Sequence, residues 1–127
     1  MPPGSAAADG TALDPTAISR LTQLDPTGVN RLLQRVLTAF QGSVERHRLQ
    51  LEVARRGADL PAIRLVTHTL KSSAASIGAT ALSQLCAEIE TAIRVEPSPD
   101  LGPRLDRLSV ALTESLKAID NVLKAQP

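Results

Sequence analysis

Apolar residues recur along this chain at three- and four-residue steps with polar residues between them, and strand-like alternation is absent. That is the period of amphipathic helices. Leu13-Asp14-Pro15-Thr16 opens the first helix. Asp14 is its expected N-cap, accepting orphan backbone N–H groups, and Pro15 takes the first helical position, where its missing donor costs nothing. Ile18, Leu21 and Leu24 form a short stripe. Leu24-Asp25-Pro26-Thr27 repeats the same signal and predicts a second helix from about Pro26 to about Arg56, striped by Val29, Leu32, Leu33, Val36, Phe40, Val44, Leu51 and Ala54. Gly42 weakens it by up to about 1 kcal/mol relative to Ala, but the stripe continues across it, so one helix is expected, with Gly57 as its C-cap.

Asp59 caps a third helix with Pro61 in its first turn, and Gly78 stops it after about Ile77. Ile63, Val66, Leu70, Ser73 and Ile77 are its expected buried stripe, with Arg64, His68, Lys71, Ser72 and Ala75 on the other side. The pattern restarts at Ala79 and runs through Leu82, Leu85, Cys86, Ile89 and Ile93 to about Val95. Pro97-Ser98-Pro99 breaks the chain, Asp100 is the expected cap, and Leu101, Leu105, Leu108, Leu112, Ile119 and Leu123 form the last stripe. Such stripes must bury against one another. The expected fold is therefore all-α: an antiparallel four-helix bundle with a short additional N-terminal helix. Residues 1–12 are Pro, Gly, Ala and Ser without periodicity and are expected to be disordered, leaving 13–127 as the domain.

Composition narrows the function classes. The 127 residues carry a net charge of +1, with no Trp, no Tyr and one Phe, so neither a strong field nor stacking residues favour nucleic acid. The lone cysteine, Cys86, cannot form an internal disulfide and suits a reducing compartment, and no apolar run approaches the roughly 20 residues that span a bilayer. A cytoplasmic location without membrane insertion is expected. No second Cys or His-rich spacing supports a metal site, and no glycine-rich loop cradles phosphates, so neither a bound cofactor nor ATP-dependent kinase activity is expected of this chain.

The candidate chemistry lies at His68. An exposed neutral imidazole, with an unperturbed pKa of about 6.5, can attack phosphorus in line and carry the phosphoryl group as a labile phosphoramidate. Lys71, on the next turn of the same face, can neutralise phosphoryl oxygens, and the small Ser72 and Ala75 leave room for an approaching partner. Periodicity alone shows only that the imidazole is available, since an exposed His near a Lys also describes an ordinary solvated face. His47 lies near the stripe of the second helix and reads as a packing or boundary residue; Cys86 reads as a small core residue.

The stretch His68-Thr69-Leu70-Lys71-Ser72-Ser73-Ala74-Ala75-Ser76-Ile77-Gly78-Ala79, followed by Leu82, Cys86 and Ile89-Glu90, resembles the signature of histidine-containing phosphotransfer (HPt) domains. That signature reads His-x-Leu-Lys-Gly/Ser-Ser-Ala, then Gly-Ala, then Leu, Cys and Leu-Glu on the next helix. Phe40 and Ala54 also suit the family, whereas Ser72 stands where Gly is often found and Ile89 replaces Leu.

The resemblance implies that His68 receives a phosphoryl group from an aspartate of one receiver domain, in a response regulator or hybrid histidine kinase, and gives it to an aspartate of another. On this reading Lys71 steadies the phosphate; Glu90, on the adjacent helix, either accepts a hydrogen bond from one ring nitrogen of His68 and fixes its tautomer or is a solvent-facing or salt-bridged glutamate. Arg64, Leu65, Ser72 and Ala75 meet the partner, with the exposed side of the second helix extending that surface, and Gly78 is structural. The chain has no acidic cluster arranged for Mg²⁺, so the ion needed at the transfer step is expected on the receiver domain. A monomer is expected. The alternative is a helical interaction module that binds a signalling partner through this face without phosphoryl transfer.

Overall fold

The computed structural model describes residues 13–126; the expected disorder over 1–12 lies outside them. Five helices follow in order: α1 (Pro15–Leu24), α2 (Leu32–Arg56), α3 (Leu60–Ser76), α4 (Thr80–Val95) and α5 (Gly102–Lys124). No strand is present among the described residues. The long helices α2 to α5 pack in a closed ring, α2 on α3, α3 on α4, α4 on α5 and α5 back on α2, while α1 lies against α2. Short connections force neighbours antiparallel. The result is the expected antiparallel four-helix bundle with an additional N-terminal helix.

The core is aliphatic. Leu37, Val44, Ile63, Leu70, Ile77, Leu82, Cys86, Ile89, Leu108, Leu112 and Ile119 are all at most 2% exposed, with Phe40 beside them as the one aromatic. On α3 the buried stripe is Ile63, Val66, Thr67, Leu70 and Ala74. Ser73, expected in the stripe, is at its margin, and Thr67 and Ala74 lie inside it. The centre of the buried arc lies nearer Ile63 and Ala74 than the apolar letters alone imply. Thr67 can enter the core because its hydroxyl donates to the carbonyls of Ile63 and Arg64 at 3.0 and 3.1 Å, so no polar group is left unpaired.

Two helix starts differ from expectation. Asp14 caps α1 as predicted, its Oδ1 accepting from Thr16 N at 3.0 Å. Asp25 does not start α2 at Pro26, because it is buried and its carboxylate reaches forward, accepting from Asn30 N at 3.3 Å and Leu32 N at 3.1 Å. Residues 26–31 are therefore turns, with Gly28 and Arg31 at φ of 72° and 52°, and Val29, expected in the stripe, is exposed. The second correction is at α5, whose N-cap position is Leu101 with no side-chain cap, not Asp100. Leu101 is drawn into the core, and Pro103 has no N–H to offer a capping carboxylate. Within α2 the helix passes unbroken through Gly42.

Gly78 ends α3 at φ 81°, a conformation that a side chain resists. Its carbonyl accepts from Asp14 N at 2.8 Å, and a Cβ there would come within 2.7 Å of that nitrogen. The turn thus both terminates α3 and seats the start of α1.

Candidate functional site

Asp59 begins α3 by accepting from Ala62 N at 3.1 Å, with a proline in the first turn. Two turns on, the helix turns His68 away from the core, leaving its side chain 62% exposed. Lys71 lies at the flank of the buried arc, and its side chain is about half as exposed, at 35%. Here α4 packs closely on α3, and Ser83 Oγ donates to the Lys71 carbonyl at 2.9 Å, bracing the two helices beside the site.

Glu90 reaches the site from α4, with its side chain only 14% exposed. One oxygen, Oε2, lies 2.6 Å from His68 Nδ1; the other, Oε1, accepts from Lys71 Nζ at 2.5 Å. A single carboxylate therefore ties together a ring nitrogen and an ammonium from successive turns of the neighbouring helix. The Lys71 hydrogen bond, assisted by that from His68, holds the Glu90 carboxyl below the usual carboxylate range against the opposing effect of burial. Glu90 is thus ionised at neutral pH. An ionised carboxylate accepts but cannot donate, so in the neutral ring it is Nδ1 that carries the proton and Nε2 that keeps its lone pair.

The other residues singled out on α3 divide by position. Arg64, Leu65, Ser72 and Ala75 are all exposed, as their place on the helix wheel requires. Leu65 is 67% exposed and lies on the side turned toward α2. There a groove of about 900 Å³ runs between α2 and α3, lined in part by Leu49, Val53, Leu65 and Thr69. Leu49 and Val53 are 64% and 66% exposed. The exposed side of α2 is expected from sequence without any particular residue; the i,i+4 pair of apolar residues lying off the buried stripe is the signal that singles out Leu49 and Val53. Ser83 gave no such signal, since its role depends on how α4 is set against α3.

The two competing residues have other environments. His47 also lines the groove, half-buried, and its Nδ1 is buried with no hydrogen-bond partner among the described residues. Burial, helped by the charge of Arg46, lowers its pKa. Cys86 is fully buried, which pushes its thiol up to about 12, an inert core group. Among the described residues no group of three or more His, Cys, Asp or Glu is placed to hold a metal ion, and no helix is long and apolar enough to cross a membrane.

No curated protein matches the chain in sequence. A solved structure, the histidine-containing phosphotransfer protein B (HptB) from Pseudomonas aeruginosa, shares the fold with a TM-score of 0.71 at 20% identity, covering 91% of this chain and 96% of that one. The family model of the Hpt domain matches residues 35–122, a span that holds α3, α4, the whole His68, Lys71 and Glu90 constellation and most of α2 and α5. With that match over most of its length, the chain belongs to the Hpt domain family and is a histidine phosphotransfer protein of the phosphorelay type.

Proposed function

We propose that His68 is the phosphoryl carrier, taking the group from a receiver-domain aspartate onto Nε2 and delivering it to an aspartate of another receiver domain. The observation that carries this reading is the exposed His68 ring whose Nδ1 is held by Glu90 at 2.6 Å. That hydrogen bond fixes the tautomer and aims the nucleophilic nitrogen outward, as attack on a partner-bound phosphoryl group requires. In the transfer, the Nε2 lone pair forms the N–P bond while the P–O bond to the aspartate breaks, the electron pair leaving with the carboxylate.

Lys71 supplies the countercharge. At rest its ammonium is paired with Glu90, and it is placed one turn from His68, where the incoming phosphoryl oxygens offer a second anionic partner. Glu90 is the orienting group. Mg²⁺ for the step belongs to the receiver domain's aspartates. The partner meets Arg64, Leu65, Ser72 and Ala75 and extends across the groove to Leu49 and Val53, an apolar patch of the kind that marks a binding surface. We place the protein in the cytoplasm as a monomer that forms short-lived complexes of small area with receiver domains.

Incubation with a phosphorylated receiver domain tests the reading. An acid-labile, base-stable phosphate is expected on the wild-type chain and absent from His68→Gln. Binding without any such label would leave the chain an interaction module and sink the carrier role.

A further inference from the structure

Glu90 does more in this geometry than aim a ring. We propose that its carboxylate keeps the Nδ1 proton on the phosphorylated ring of His68 and so sets how readily the phosphoryl group leaves. The inference rests on the carrier role of His68 and concerns what happens after the group has arrived.

The Nδ1 proton decides how the N–P bond can break. Attack by Nε2 on the phospho-aspartate moves no proton, so the product is a phosphoimidazolium: the ring holds the phosphoryl group at Nε2, keeps its proton at Nδ1 and bears a positive charge. When the N–P bond breaks from that form, the electron pair returns to Nε2 and the leaving group is neutral imidazole. If Nδ1 has lost its proton, the same cleavage must expel an imidazolide anion, a far poorer leaving group. The protonated ring is the transferable form, and the deprotonated ring is a trap.

Glu90 favours the transferable form. Its Oε2 faces Nδ1 at 2.6 Å, a direct contact between a carboxylate 14% exposed and a ring 62% exposed, so the hydrogen bond itself and not a dry surrounding holds the proton. Lys71 faces the same carboxylate from α3 through Oε1, and the neutral Cys86 thiol lies one turn away on α4. The Lys71 ammonium holds Glu90 ionised, so the charge that retains the ring proton persists across neutral pH. Because the ammonium and the imidazole take different oxygens, Lys71 can turn toward phosphoryl oxygens without releasing the ring.

The variant Glu90→Gln separates charge from geometry, since its amide oxygen still accepts from Nδ1–H but carries no charge. Wild-type and variant chains are labelled at His68 with phosphoramidate, a small-molecule donor that needs no partner protein. The ring is followed by ¹⁵N and ³¹P NMR as pH is raised, and the label is timed. In Glu90→Gln the phosphorylated ring is expected to lose its Nδ1 proton at lower pH, and the label to survive longer at the same pH, by about tenfold for each unit of proton affinity lost once the pH is above the ring's titration point. Glu90→Ala should show the same shift and, unphosphorylated, a mixture of ring tautomers. An unshifted ring titration in Glu90→Gln overturns the proposal, whatever the label lifetime does. If the wild type takes no label on His68 from phosphoramidate or from a phosphorylated receiver domain, the carrier role itself fails; a labelled wild type with an unshifted variant removes only this inference.

Discussion

His68 and His47 are chemically the same side chain on adjacent helices, and their surroundings make them opposites. His68 stands in water with one nitrogen held by a carboxylate, which leaves its other nitrogen without that partner. His47 is half-sunk in the α2–α3 groove with Nδ1 buried and unpaired among the described residues, beside the cationic Arg46. The neighbour decides the chemistry. A carboxylate partner orients an imidazole and supports positive charge on it, whereas burial next to a cation keeps it neutral and leaves nothing to position it.

The sharpest way to break the contrast is to exchange the two residues' fates by mutation. His68→Gln should bring phosphoryl labelling to background while His47→Gln retains it, measured with a phosphorylated receiver domain; label on His47 would erase the distinction. Next in size is the countercharge. Hydrogen bonds to charged groups contribute about 1.5–3 kcal/mol, so Lys71→Ala should slow transfer to His68 by about tenfold or more in a stopped-flow assay, with no loss of the Glu90 contact to the ring.

A smaller effect is expected on the His47 side, at the groove proposed to meet the partner. Val53→Glu or Leu65→Glu should weaken receiver-domain binding by about tenfold in calorimetry, a loss of about 1.4 kcal/mol, while the rate of labelling by phosphoramidate stays at the wild-type value. Both side chains are mostly exposed, so folding should be little changed. The smallest effect concerns pH. The folded-state pKa of His47 lies below its ordinary value of 6.5, so between those two points the unfolded chain binds more protons than the folded one. Stability therefore rises with pH across that window and is lost as pH falls through it. His47→Gln should flatten this part of the pH profile of thermal unfolding, and NMR should show His47 titrating at a lower pH than an unperturbed histidine.

Much of this molecule is legible from its letters because helices advertise themselves locally. The three- and four-residue steps, the capping aspartates at Asp14 and Asp59 and the stop at Gly78 need only a few neighbouring residues to act, and each behaves in the fold as its local chemistry dictates. The availability of His68 follows from the same wheel that buries Leu70.

What local reasoning could not settle depends on residues far apart in the chain or on competing uses of one side chain. Asp25 and Asp14 precede proline in the same way, yet Asp25 spends its carboxylate on Asn30 and Leu32 because it is buried where those donors converge. Leu101 displaces Asp100 from the head of α5 because burying a leucine outweighs a cap facing a proline. The bridge from Glu90 to both His68 and Lys71 spans 22 and 19 residues of sequence and exists only once α4 has packed on α3. Which histidine faces solvent, and that the helices form a bundle, both follow from periodicity along the chain. The tertiary structure alone decided that this histidine shares its carboxylate with a lysine, because a hydrogen bond is sensitive to tenths of an ångström that only packing can set.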